Sequence, residues 1–146
     1  MRIRDIMKTE VVTLQADEQL AVASDIMHLA RIRHLPIVHK DQLVGIISQR
    51  DLFKASLSSI LGFNYADIRD HLKKVAIKDA MVKQVITIAP DAEIPEAGRI
   101  MLAKKIGCLP VVEGSRLVGM VTETDIIEYY LIHHEECTSA GRRQGR

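Results

Sequence analysis

Residues 33–52 read RHLPIVHKDQLVGIISQRDL, and residues 107–126 read GCLPVVEGSRLVGMVTETDI. Each stretch carries Leu-Pro, a short apolar run, a polar turn, then Leu-Val-Gly and two further apolar residues before a hydroxyl and an Asp. The offset is 74 residues, and it holds without a gap upstream, where DIMKTEVVTLQAD from Asp5 to Asp17 aligns with DAMVKQVITIAPD from Asp79 to Asp91. Over Asp5–Leu52 there are 16 identical pairs, among them Met7/Met81, Thr13/Thr87, Pro36/Pro110, Gly45/Gly119 and Asp51/Asp125. A gapless register of that length argues duplication of one supersecondary unit. The two copies are expected to pack as a pseudo-twofold pair.

Each copy reads as strand, helix, strand, strand, helix. VVTL is a short apolar run with strand character. After Asp17, the residues Leu20, Ala23, Met27 and Ala30 recur at helical spacing. LPIV follows as a second strand, where Pro36 is tolerated as a first residue lacking its ladder N–H. HKDQ makes a turn, LVGIIS a third strand, and Gln49 begins a second helix that runs toward Leu57. In the second copy the first helix carries Ile94, Ala97, Ile100 and Met101, with Pro95 near its start, where proline is accepted. One copy of roughly 50 residues leaves much apolar surface uncovered. Two copies, sheet against sheet, bury it. The predicted fold is α/β, with duplicated β-α-β-β-α halves at 1–57 and 79–134, a connector at 58–78 and a disordered polar tail at 135–146. Within the connector a short helix is expected over 66–74. A bland linker is weighed there against a lid or partner surface carrying Phe63 and Tyr65.

The composition narrows the function. The 146 residues are 47% hydrophobic, 27% charged and only 3% aromatic, so the core is built from aliphatic side chains and Met. Twenty Lys and Arg balance 19 Asp and Glu, and no basic patch interleaved with aromatics asks for nucleic acid. Two cysteines do not make a disulfide framework. No run approaches 18 apolar residues and no apolar leader precedes the first repeat, so a cytoplasmic location without a membrane span is expected. There is no Walker loop, no Rossmann fingerprint and no serine or cysteine in a nucleophile context. The adjacent His133 and His134 do not share a helix face and make a poor metal site. An enzyme is the least favoured class, and no metal is expected.

The strongest local signal is the pair GIISQRD (Gly45–Asp51) and GMVTETD (Gly119–Asp125). A hydroxyl at a strand end, followed by a helix N-terminus, suits a phosphate. An Asp three residues on suits ribose hydroxyls. The bland alternative is plain capping, with Ser48 and Thr122 as N-caps and Asp51 and Asp125 at the third helical position. A second signal is Arg33-His34 immediately before a strand, since Arg suits phosphate. Its counterparts, Gly107 and Cys108, carry no charge, so two potential sites should differ. Thr13 and Thr87 occupy a third matched position. A buried Thr there would bond either an adenine ring or its own backbone. Cys108 itself reads as structural rather than nucleophilic.

With these motifs in place, the chain resembles a tandem CBS-domain protein, a cystathionine-β-synthase-type pair or Bateman module, over Met1 to about His134. The resemblance rests on DIM-K…VVTL, RHLPIV with LVGIISQRDL, and DAM…VITIAPD with GCLPVV and LVGMVTETDI. It implies a stand-alone regulatory module that binds AMP, ADP, ATP or S-adenosylmethionine in clefts between the halves and transmits occupancy as a conformational change. It also implies a disc-like homodimer and an effector protein outside this chain. One cleft would combine Thr122, Thr124 and Asp125 with Thr13, Arg33 and His34. Asp125 would bind the ribose there, Thr13 would lie near adenine, and the others would face phosphate. The other cleft would combine Ser48 and Asp51 with Thr87, Gly107 and Cys108. It lacks a basic residue at Gly107 and Cys108, although Arg50 is near enough in sequence to reach phosphate. Gly107 would leave room for a bulkier group. The competing account is a scaffolding module with degenerate clefts that binds a protein partner.

Overall fold

The computed structural model describes the backbone of residues 1–57 and 65–143, and the side chains of 1–56 and 68–134. The elements in chain order are α1 (Ile3–Ile6), α2 (Leu20–Ala30), β1 (His34–His39), β2 (Gln42–Ser48), α3 (Gln49–Leu57), α4 (Tyr65–Lys73), α5 (Ile77–Ala80), α6 (Ile94–Lys104), β3 (Cys108–Glu113), β4 (Arg116–Thr122) and α7 (Glu123–Arg143). The 74-residue offset recurs element by element, from α1 and α5 through β2 and β4. The duplicated β-α-β-β-α plan is therefore present. Its first strand is much reduced, because VVTL and VITI contribute one parallel bridge each, Leu14 to Ile37 and Ile88 to Val111. Two backbone bonds hold each bridge. Leu14 N–H donates to the Pro36 carbonyl at 3.2 Å, and the Leu14 carbonyl accepts from Val38 N–H at 2.9 Å.

The short helices α1 and α5 carry no helical repeat in sequence and are found only in the structure. The chain divides into two compact units, and they are not colinear with the repeats. One comprises Met1–Glu10, Thr87–Glu113 and Val118–Arg146, and the other Val11–Ile86 and Gly114–Leu117. The leading segment of each repeat thus belongs to the unit built from the other repeat's body. Ile3 of α1 is fully buried among Ile94, Leu109, Val111 and Val121, and Ile77 of α5 among Leu20, Leu35, Ile37 and Ile47. Burying one such isoleucine is worth roughly 2 kcal/mol, enough to hold a four-residue helix that could not persist alone.

In the Val11–Ile86 unit, α2 lays Leu20, Ala23 and Met27 on the core side. It ends at Arg31 in the left-handed conformation, φ 54°, with the Arg31 N–H on the Met27 carbonyl. The other unit repeats this ending at Lys105, φ 55°, on Met101. The two residues Lys40 and Asp41 join β1 to β2 with φ of 48° and 64°. Positive φ at both central residues suits a two-residue hairpin between right-twisted strands. The equivalent turn uses Gly114 at φ 64°. The tip of that second hairpin belongs to the Val11–Ile86 unit, where Arg116 pairs with Gln42.

The helix expected over 66–74 is α4. Phe63 lies outside the described residues, as does the Tyr65 side chain, so the lid reading falls outside what is described. A disordered tail is expected from 135, whereas α7 continues without a break to Arg143. Residues 135–140 contain no proline or glycine, and propagation adds one hydrogen bond per residue fixed. Among the described residues, no helix is long and apolar enough to cross a membrane.

Candidate functional site

The two hydroxyl-x-x-Asp motifs sit where a strand passes directly into a helix, β2 into α3 and β4 into α7. At the first, one Asp51 carboxylate oxygen, Oδ2, accepts from Ser48 N–H and from Ser48 Oγ, both at 2.8 Å. Asp51 N–H donates back to Ser48 Oγ at 3.2 Å. At the second, Asp125 Oδ2 accepts from Thr122 N–H at 2.9 Å and from Thr122 Oγ1 at 3.0 Å, and Asp125 N–H donates to Thr122 Oγ1 at 3.3 Å. Both are reciprocal caps of the capping-box type, with Asp in the acidic position. The bland reading of the motif is therefore realised in both copies. It consumes one oxygen of each carboxylate and leaves Oδ1 for another donor.

The residue before each central hairpin closes the same turn. The Arg33 carbonyl accepts from Gln49 N–H at 2.8 Å, and the Gly107 carbonyl accepts from Glu123 N–H at 3.0 Å. His34 stands opposite Ser48 in the β1–β2 register. Arg33 is exposed and His34 half-buried. In the other unit a Cβ on Gly107 would come 3.1 Å from Glu123 Cδ, so the space beside Gly107 holds the Glu123 carboxylate. The bulkier group expected beside Gly107 meets that side chain first.

Cys108 is 5% exposed, and its thiol is pushed up from 9.0 to about 12 by burial and, secondarily, by the Asp125 carboxylate. It is a neutral apolar neighbour of the second cap. Thr124, Arg50 and Thr13 are exposed, and Thr87 is half-buried. The expectation of a buried Thr inside a strand does not hold for Thr13. The VVTL segment makes only its one bridge at Leu14, and its alternation turns Thr13 away from the core. Thr122, Thr124, Asp125, Thr87, Gly107 and Cys108 lie in one unit, and Thr13, Arg33, His34, Ser48 and Asp51 in the other.

Asp125 is the one buried charged residue among those described. Its Oδ1 faces Lys8 Nζ at 3.7 Å. Lys8 is fixed at the backbone by two bonds to Met120, N–H to carbonyl at 2.8 Å and the reverse at 2.9 Å. The matched residue Val82 makes the same two bonds to Ile46, at 2.9 and 3.0 Å, and brings no charge. Sequence reasoning missed Lys8. The signal was the one charge difference between the matched stretches Asp5–Lys8 (DIMK) and Asp79–Val82 (DAMV). Among the described residues no group of three or more His, Cys, Asp or Glu is arranged for a metal. His133 instead lies over the Tyr129 ring, centroids 4.1 Å apart, with Nδ1 at 2.9 Å from the Tyr129 carbonyl.

The CBS-domain pattern matches residues 3–58 and 77–132. The chain belongs to the CBS-domain family. A CBS domain-containing protein of Dictyostelium discoideum is 32% identical over 128 residues, covering 86% of this chain and 88% of that one. An inosine-5'-monophosphate dehydrogenase of Methanocaldococcus jannaschii is 35% identical over 126 residues, but the match spans 85% of this chain and only 22% of that enzyme. Among solved structures, a candidate acetoin utilization protein from Vibrio cholerae superposes with TM-score 0.78 at 33% identity, over 95% of this chain and 96% of that chain. The CBS domain pair of protein MJ0100, solved with 5'-methylthioadenosine and S-adenosyl-L-methionine, superposes with TM-score 0.74 at 29% identity, over 89% of this chain and 95% of that one.

Proposed function

We propose that this CBS pair is a non-catalytic regulatory module that binds an adenosyl ligand, an adenine nucleotide above all, and passes its occupancy to an effector as a change of conformation. The observation that carries the reading is the pair of caps. Each hydroxyl-x-x-Asp turn commits Oδ2 to the helix and keeps Oδ1 for an outside donor. A vicinal diol is a fitting donor, and the adenosyl compounds bound by the 29%-identical MJ0100 pair carry one on their ribose. In this reading Asp125, Thr122 and Thr124 act with Thr13, Arg33 and His34. Asp51 and Ser48 act with Thr87, Gly107 and Cys108. Arg33 favours a phosphorylated ligand at the first, whereas Gly107 and Cys108 favour a less charged adenosyl group at the second.

The conformational output follows only if the ligand binds one arrangement better than another. The reading includes a homodimer. Leu29, Leu102, Phe53 and Ile127 are exposed, and burying them against a second copy removes that apolar surface from water. The location expected is the cytoplasm, where free adenine nucleotides are the available ligands.

A second reading is supported by a groove of about 690 Å³ in the Val11–Ile86 unit, lined by Met27, Leu29, Leu52, Phe53, Ile68 and Leu72 among others. Its exposed apolar side chains, Leu29 and Phe53, offer contact area to a protein partner, as a scaffolding module requires. Titration calorimetry with AMP, ADP, ATP, adenosine and S-adenosylmethionine separates the two, with sedimentation run on the same samples. Binding that Asp125→Ala or Asp51→Ala abolishes, in a folded protein, supports the sensor. No heat with any of the five at millimolar concentration removes it and leaves the scaffold.

A further inference from the structure

The two caps match closely in geometry, and at the Asp125 cap a lysine faces the carboxylate oxygen that the cap leaves free. Lys8 Nζ stands 3.7 Å from Asp125 Oδ1, with the Lys8 side chain 68% exposed and the Asp125 side chain 6% exposed. The residue matched to Lys8 is Val82, which is exposed and brings no charge to the Asp51 cap. The backbone at the two positions is held alike, by paired bonds to Met120 and to Ile46. The difference is therefore confined to the side chain. A lysine on a pinned backbone with a solvent-facing stem can swing its ammonium by several ångströms while its Cα stays in place.

We infer that Lys8 is the charge selector of the Asp125 site, favouring an adenosyl ligand that carries phosphate over one that does not, while Val82 gives the Asp51 site no matching cation. The inference rests on the adenosyl reading above. Without ligand, Lys8 neutralises a buried carboxylate whose other oxygen is already bonded. When ribose hydroxyls donate to Oδ1, the ammonium is released at the mouth of the site. A phosphate gives it a new anionic partner; a bare nucleoside leaves it with water alone. An ammonium–phosphate contact is a charge-assisted bond, stronger than its neutral counterpart. A sulfonium ligand would place a second cation beside the first and be disfavoured.

The test compares AMP with adenosine by calorimetry in wild type and in Lys8→Met, which keeps the stem and removes the charge. The binding followed is the part that Asp125→Ala abolishes. The wild type is expected to prefer AMP. Lys8→Met lowers AMP affinity by about tenfold and changes adenosine affinity much less, so the ratio falls by nearly that factor. Raising the salt should shrink the wild-type ratio more than the variant's, which keeps only Arg33 for the phosphate. Val82→Lys should raise the AMP preference of the binding that Asp51→Ala removes. An unchanged AMP-to-adenosine ratio in Lys8→Met, or an equal gain for both ligands, overturns the selector and leaves the adenosyl reading standing. If the wild type binds neither AMP nor adenosine, the adenosyl reading itself falls, and the selector with it.

Discussion

The two units are built on the same positions and charged on different ones. Leu35 and Leu109, Pro36 and Pro110, Gly45 and Gly119, and Asp51 and Asp125 are identical pairs at buried or half-buried places. Lys8 is matched by Val82, Arg33 by Gly107 and His34 by Cys108. The kept residues are those that packing, close approach and capping require. The changed ones surround the cap and do not alter the backbone that carries it, since Arg33 and Gly107 offer the same carbonyl to the following helix. Duplication has preserved the machinery that positions a carboxylate and diversified what that carboxylate meets.

The largest expected effect tests the preserved part. Each central-strand glycine lies under a methionine, and a Cβ there would crowd two kinds of neighbour. At Gly119 it would come 2.8 Å from the Lys8 carbonyl oxygen and 2.8 Å from Met7 Sδ. At Gly45 it would come 2.5 Å from Met81 Sδ but 3.1 Å from the Val82 carbonyl oxygen. A thioether end can turn away, whereas a paired backbone carbonyl cannot without losing its ladder bonds. Gly119→Ala should therefore cost about 2–3 kcal/mol and Gly45→Ala about 1 kcal/mol, read by urea unfolding. Equal losses would mean that the methionine, not the backbone, sets the limit in both units.

A smaller effect sharpens the contrast between His34 and Cys108. Burial and the nearby Asp125 hold the Cys108 thiol protonated up to about pH 12, against an ordinary 9.0. The unfolded chain loses that proton first. Between pH 9.0 and about 12 the unfolded state then binds fewer protons than the folded state, so stability falls as pH rises through that window. In a Cys137→Ser background Cys108 is the only thiol, and it should resist a maleimide at pH 8 until the protein is unfolded. Cys108→Ala should flatten the alkaline fall in Tm. Rapid labelling of the folded protein would remove the account of a buried, neutral thiol.

The repeat was legible because its register runs without a gap, and its helices, hairpins and both caps because each is local. A period, a turn or a Ser-x-x-Asp spacing lies within a few residues. What was not legible is exchange between the repeats. Ile3 and Ile77 are matched apolar residues, so the pattern reads the same whether each helix packs on its own repeat or on the other. Lys8 and Asp125 are brought together by that exchange and share no sequence neighbourhood. VVTL reads as a strand by composition, yet it makes only one bridge. Residue preference reports suitability for a ladder and cannot supply a partner for every rung.

The smallest effect concerns a place where the copies differ without any contact to explain it. Gly98 lies inside α6, and a Cβ there meets nothing within 4 Å. Its matched residue in α2 is Ser24, half-buried at the groove beneath α3 and α4. A glycine inside a helix costs roughly 0.8–1.0 kcal/mol relative to alanine through backbone entropy alone, and a serine about half as much. Gly98→Ala should thus raise stability by close to the full glycine cost, because no neighbour has to move. Ser24→Ala should gain less, and urea midpoints of the two variants measure the difference. If Gly98→Ala lowers stability instead, that face of α6 is in contact with something in solution. The exposed Leu102 on the same helix makes a second copy of the chain the first surface to suspect. A glycine substitution expected to be harmless would then become a probe of the dimer, and a concentration-dependent loss would separate that cause from strain within the helix.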